Sequence, residues 1–189
     1  RASKLNSSLL SETLYPQARV QVFNLDADLF VQSLRGPYDL VIIDFPDPRS
    51  VGTAKLYSLD FFRRLAGQLG PAALVAVQST SPYHSRKMFL CIGKTLRAAG
   101  YRALPYRQNV PSFGEWGWHL AWLHKTTKSA IKEKLKGLTS IGVPTGYLTP
   151  ALMSNATAFG KHWLDDTHIE INTKFRPTIL QYNRQSWKN

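Results

Sequence analysis

Apolar positions along this chain recur with two periods, and the predicted elements follow from where each period starts and stops. Val20, Val22 and Phe23 alternate with polar neighbours in residues 19–24 and predict a first strand. Leu25-Asp26-Ala27-Asp28 lies at its carboxyl end, and residues 29–34 predict a short helix. After a Gly36-Pro37 turn, residues 38–44 carry the unbroken run Leu40 to Ile43. Such a run, cut short by Pro46 and Pro48, predicts a buried parallel strand at the centre of a sheet. Residues 58–69 set Leu59, Phe62, Leu65, Ala66 and Leu69 on one helical face, with Asp60 suited to the positive end of the helix dipole and Gly70-Pro71 ending it. Residues 72–77 predict a buried strand ending at Gln78, with a loop over 79–82, and residues 86–99 a helix stopped by Gly100. Residues 101–109 predict a strand that Pro105 assigns near an edge, followed by a loop over 110–114 and a last strand over 116–123.

Strands alternating with helices predict an α/β fold with a mostly parallel sheet, and the final two strands, joined without a helix, an antiparallel hairpin at one side. Residues 139–189 are short-period and polar, interrupted by Pro144, Pro150 and Pro177. The expected organisation is therefore one domain over 1–138 and a helical C-terminal extension over 139–189 packing on it. No internal repeat is present.

Composition narrows the classes. With 43% hydrophobic and 12% aromatic residues the chain can bury a core, so disorder is excluded as a description of the whole. No stretch reaches the roughly 18 apolar residues of a membrane-crossing helix. One cysteine, Cys91, excludes an intrachain disulfide, suits a reducing compartment, and sits in an apolar run where it reads as a packing residue. The net charge of +12 brings nucleic acid and anionic membranes into consideration. Much of it lies in Lys125, Lys128, Lys132, Lys134 and Lys136, but Ile131, Leu135 and Leu138 interleave at helical spacing, which describes a surface helix with a solvated face.

The chemistry concentrates where the Leu40 to Ile43 run ends in Asp44 and Asp47. In open α/β sheets ligands bind at the carboxyl ends of strands. Two carboxylates there can hold a cationic substrate or take a proton from an amine; the competing reading is a helix cap or loop acid. Asp26 reads as a site acid or a turn acid, and Tyr57 as a site residue or as core against the following helix. Of Trp116 and Trp118, at least one is expected to pack rather than touch a ligand. His84, His119 and His124 show no metal-ligand spacing and no pairing with a nucleophile.

From about Leu14 to Leu123 the chain resembles the spermidine synthases, the polyamine aminopropyltransferases, and in particular bacterial members with a membrane-embedded N-terminal region. The resemblance rests on an ordered set: Asp26-Ala27, Asp44-Phe45-Pro46-Asp47-Pro48, Lys55-Leu56-Tyr57-Ser58, Gln78-Ser79-Thr80-Ser81-Pro82 and Val110-Pro111-Ser112-Phe113-Gly114-Glu115-Trp116-Gly117. A weaker echo continues through Glu170-Ile171-Asn172 and Tyr182. It implies a Rossmann-like fold of the class I methyltransferase type, with helices on both faces of the sheet. It also implies transfer of an aminopropyl group from decarboxylated S-adenosylmethionine, a co-substrate and not a resident cofactor, to a diamine such as putrescine, giving spermidine and methylthioadenosine. By position, Asp44 matches the acid that orients and deprotonates the attacking amine, and Asp47 the second diamine-binding acid. Asp26, beside Ala27, matches the acid on the adenine amino group. Tyr57, Gln78, Phe113 and Trp116 fall in the substrate pocket, Phe113 standing where many relatives have a tyrosine.

The family's glycine-rich donor loop and its ribose-binding acid are not in this sequence. The match begins between the family's second and third strands, so the sheet is expected to be incomplete. The strands over 19–24 and 40–44 would be separated by two vacant positions, roughly 14 Å. The N-terminal region, direct pairing of those two strands, or a second copy in a homo-oligomer would fill the gap, and the chain alone is expected to bind the nucleoside donor poorly. The lack of an initiator Met and of an apolar signal core suggests a processed or truncated chain, with a cytoplasmic location, as the soluble domain of a membrane-attached protein. Two other readings stay open: a non-catalytic binding or assembly module on a decayed aminopropyltransferase scaffold, and a methyltransferase acting on nucleic acid, although nucleic acid is not the expected partner.

Overall fold

The computed structural model describes residues 21–112 and 114–186. Four strands, β1 (Tyr38–Ile43), β2 (Leu69–Gln78), β3 (Arg102–Val110) and β4 (Gly114–Trp122), form one sheet in the order β1-β2-β4-β3. β1 and β2 are parallel, and β4 is antiparallel to both of its neighbours. β1, β2 and β3 therefore share one direction and β4 alone opposes it, the hairpin inserting β4 between β2 and an edge strand β3 that accommodates Pro105.

The helices are α1 (Ala27–Ser33), α2 (Val51–Ala54), α3 (Leu59–Ala66), α4 (Arg86–Ala98), α5 (Lys128–Lys136), α6 (Pro150–Asn155) and α7 (Ile179–Ser186), with a 3-10 turn over Lys55–Tyr57. Ser58 caps α3 by accepting a hydrogen bond from the Phe61 N–H. Phe62 and Leu65 of α3 and Phe89, Ile92 and Leu96 of α4 bury themselves against Val75, Val77, Ala103 and Ala121 of the sheet. α4 lies so close to β4 that a Cβ at Gly117 would stand 2.6 Å from the Phe89 ring. Cys91 is buried in this core, where desolvation pushes its thiol up to about 12. α7 packs on α4, and buried Asn172 ties the segment before it inward: its amide donates to Ala54 O at 2.8 Å and its N–H to Thr95 Oγ1 at 2.9 Å. α5 buries no residue, as expected of a solvated lysine helix. On the opposite face of the sheet, Leu135 of α5 and Leu152 and Met153 of α6 lie over Leu104 and Leu120.

Three expectations are corrected. Residues 21–24 form no strand; Val22 and Phe23 are exposed, and Phe23 packs on Phe30 of α1 with ring centroids 5.1 Å apart. Alternation without a neighbour to pair with does not make a strand, and the remainder of that expected strand lies outside the described residues. β1 is an edge strand and not a central, buried one: Leu40 and Ile42 are 60% and 73% exposed, while Ile43 on the other face is buried in the core. Its outer edge carries no strand among the described residues. Finally, α3 stops at Ala66 and β2 already begins at Leu69, running through Gly70-Pro71. The β1–β2 register slips there, from Tyr38↔Leu69 to Leu40↔Leu74, and an irregular stretch of this kind tolerates a proline without an N–H.

Candidate active site

The sheet register sets the site. Ile43 pairs with Val77, so Asp44 and Gln78, the next residues on each strand, stand side by side at the carboxyl rim. Gln78 pairs with Trp118, which pairs with Tyr106, while Trp116 pairs with Gln108. Beyond Asp44 the Phe45-Pro46-Asp47-Pro48 turn folds Asp47 back over the end of β2. Asp44, Asp47, Gln78, Tyr106, Trp116 and Trp118 thus line one cleft of about 920 Å³. Two carboxylates occupy one end, and aromatic side chains form the wall.

The two acids differ in how open their carboxylates are. Asp44 is exposed and forms no hydrogen bond or ion pair among the described residues. Asp47, with its side chain 13% exposed, meets Arg49 at 3.6 Å and receives the Gln78 Nε2 donor at 3.4 Å, both long contacts. Arg49 lines the same cleft.

Behind them, Tyr57 is fully buried and organises the turn. Its hydroxyl has three acceptors nearby: Phe45 O at 2.9 Å, Gln78 Oε1 at 3.0 Å and Pro46 O at 3.3 Å. Burial, and then the negative charges of Asp47 and Asp44, push this phenol far above its ordinary value, so it stays protonated. Gln78 is held from its other side as well. Thr80 is buried with φ of 61°, a conformation that costs a β-branched residue energy, and its carbonyl accepts from the Gly117 N–H at 2.9 Å while the Ser79 N–H donates to Gly117 O at 2.9 Å. This pair of backbone bonds clamps the end of β2 to β4.

Asp26 and Ala27 stand apart from this cleft. Asp26 caps α1, Oδ1 accepting from the Asp28 N–H at 2.9 Å, and pairs with Lys55 Nζ at 2.8 Å. The Lys55 hydrogen bond is the main reason its carboxyl lies below the usual range. Phe113 lies outside the described residues. Tyr106 and Arg49 line the cleft without having been expected there from the sequence, and Trp118 joins Trp116. The hairpin register was the signal for Tyr106: even-numbered positions of β3 and β4 share a face, so Tyr106 accompanies Trp118 with ring centroids 5.5 Å apart.

His119 belongs to the opposite face and to the core. Its Nδ1 lies 2.9 Å from Ser79 Oγ, which itself donates to Val77 O. Ser79 therefore accepts from Nδ1–H, and burial lowers the imidazole to about 3, keeping it neutral. Among the described residues no group of three or more His, Cys, Asp or Glu could hold a metal ion, and no helix is long and apolar enough to cross a membrane.

Comparison with known proteins identifies the family. A polyamine aminopropyltransferase of Shewanella oneidensis is 37% identical over 190 residues, covering 97% of this chain and 33% of its own length. One from Leptospira interrogans is 39% identical over 179 residues, covering 94% of this chain and 34% of its own. The chain thus spans about a third (33% to 34%) of the length of these relatives. Among solved structures, a spermidine synthase in complex with the transition-state analogue AdoDATO superposes with a TM-score of 0.66 at 16% identity, over 86% of this chain and 56% of that one. The spermidine synthase from Thermotoga maritima gives 0.62 at 14% identity, over 86% and 54%. These two likenesses show the fold: a methyltransferase-like α/β sheet. The profile of the spermine/spermidine synthase domain matches residues 3–134, which with the relatives above makes this chain a member of the spermine/spermidine synthase family.

Proposed function

We propose that this chain supplies the acceptor-amine side of an aminopropyl transfer, from decarboxylated S-adenosylmethionine to a diamine such as putrescine. The observation that carries the reading is the convergence of Asp44, Asp47 and Gln78 at one end of an aromatic-walled cleft. Alkyl ammonium groups have pKa values near 10, like lysine, and an ammonium has no lone pair with which to attack. A carboxylate that first binds the ammonium and then accepts its proton removes that obstacle. In the reaction the amine nitrogen bonds to the methylene carbon next to the sulfonium. The carbon–sulfur bond breaks with its electron pair left on sulfur, methylthioadenosine departs, and the nitrogen's proton passes to Asp44. Asp47 holds the ammonium in register. The walls of Trp116 and Trp118 exclude water and present aromatic faces to a cation. Most of the acceleration on this scheme comes from alignment with the sulfonium carbon.

Asp26 and Ala27 take the adenine side in this proposal, which requires the adenine amino group to displace or share the Lys55 contact. With no glycine-rich donor loop in its sequence, the chain alone binds the nucleoside poorly and turns over little. The outer edge of β1, which carries no strand among the described residues, and the exposed Leu40 and Ile42 are covered by further polypeptide or by a second copy, and the reaction is cytoplasmic. In a preparation that transfers aminopropyl groups, Asp44→Asn removes the activity; full activity in that variant ends the assignment. The Asp26–Lys55 pair favours a second reading, a binding or assembly module that has lost its donor site. Thermal stabilisation by methylthioadenosine separates them: its absence in a complete enzyme supports the module.

A further inference from the structure

The hydrogen bonds around Tyr57 are over-subscribed, and the way they resolve assigns this residue a part in binding. One phenolic proton faces three acceptors, Phe45 O, Gln78 Oε1 and Pro46 O, all within 3.3 Å. Meanwhile Gln78 spends its amide N–H on Asp47 at 3.4 Å, a long bond to the carboxylate that an incoming ammonium would need. Turning the amide by half a rotation about its last side-chain bond settles both conflicts. Nε2 then donates to the Tyr57 oxygen, whose own proton stays on Phe45 O. Oε1 then faces Asp47 and the cleft. In an empty site that places an amide oxygen against a carboxylate, which is repulsive and holds the present orientation. A cation between them reverses the sign, gaining charge-assisted bonds to both oxygens.

We propose that Tyr57 is a positioning residue: its hydroxyl receives the Gln78 amide N–H so that the Gln78 carbonyl turns into the cleft and, with Asp47, binds an alkylammonium group. The inference rests on the amine-binding reading above and deepens it. Without that hydroxyl, the reoriented Nε2 would be buried with no partner, because Gln78 is only 7% exposed. The cation then competes with Nε2 for Asp47 instead of being received by Oε1.

The test is calorimetric titration of this chain with 1,4-diaminobutane. Tyr57→Phe keeps the ring and its edge contact with Phe45, and weakens binding about tenfold. In Gln78→Glu both side-chain oxygens are acceptors and no orienting is needed, so adding Tyr57→Phe to that background changes the affinity less than about twofold. Unchanged affinity in Tyr57→Phe, or the same penalty in both backgrounds as a purely structural role would give, overturns the proposal. Absence of binding to the unmodified chain removes the amine site itself and this inference with it. Binding to the unmodified chain that is indifferent to Tyr57 leaves the site standing and removes only the role of Tyr57.

Discussion

Two pairs of acids follow similar stretches of this chain and meet opposite fates. Asp26 and Asp28 are captured by cations: Lys55 reaches Asp26 at 2.8 Å, and Arg64 and Lys174 reach the buried Asp28 at 2.8 and 3.0 Å. Asp44 has no such partner among the described residues, and Asp47 has Arg49 at 3.6 Å with the Gln78 amide. Both pairs lie next to apolar segments and either could have been a site from its local pattern. The cations decide which acids stay open to a further cation, because a carboxylate already neutralised gains little from a second one. An acid left over an open cleft keeps its full attraction for one. Partners 29, 36 and 146 residues away in sequence deliver that decision.

The largest effect that can break this comparison is at Asp44. Asp44→Asn in an active preparation lowers kcat/KM by about 10²–10⁴, the range for loss of a general base. A change under threefold would make Asp44 equivalent to the captured pair. Next comes Asp28→Asn, which leaves Arg64 and Lys174 facing a neutral amide in a buried position. Urea unfolding should show a loss of about 3 kcal/mol, reduced where those cations reach solvent. Affinity for 1,4-diaminobutane should be unaltered; a weakened amine would mean that Asp28 belongs to the site.

The acid-side stability profile sharpens the contrast, once His119 is separated from it. Its folded value of about 3 lies below the ordinary imidazole value of 6.5. Below pH 6.5 the unfolded chain takes up a proton that the folded chain refuses. Stability from this group is therefore complete above pH 6.5 and declines as pH falls toward 3. Between pH 7 and 5 the loss is about 2 kcal/mol, and His119→Gln should flatten that slope. Asp26 acts at lower pH. Its depressed carboxyl contributes stability above about pH 4 that vanishes as pH falls through its folded value. Asp26→Asn keeps the capping oxygen, so unfolding midpoints of mutant and parent should differ only slightly at neutral pH and converge in acid. Divergence in acid would show that the Lys55 pair does not set its titration.

The strand–helix rhythm was legible because local periodicity decides it: α3, α4 and the β3–β4 hairpin fall close to where the pattern puts them. The edge position of β1 was not, because an apolar run reports that a strand can be buried and not what covers it. Leu40 and Ile42 read as interior and stand in the open. Asp44, Asp47, Gln78 and Trp116 share one cleft, and register explains why strand-end residues of neighbouring strands meet. Tyr57 was balanced between core and site, and the structure places the buried ring behind the cleft with its hydroxyl at the back of Gln78. Arg49 escaped notice because the turn that folds it toward Asp47 has no periodic signature.

The comparison of the two acid pairs comes down to which of them binds a diamine. Titrating 1,4-diaminobutane into the unmodified chain, into Asp44→Asn combined with Asp47→Asn, and into Asp26→Asn measures it directly. Binding that disappears in the double variant and persists in Asp26→Asn is the predicted result. Equal affinity in the unmodified chain and the double variant would contradict it.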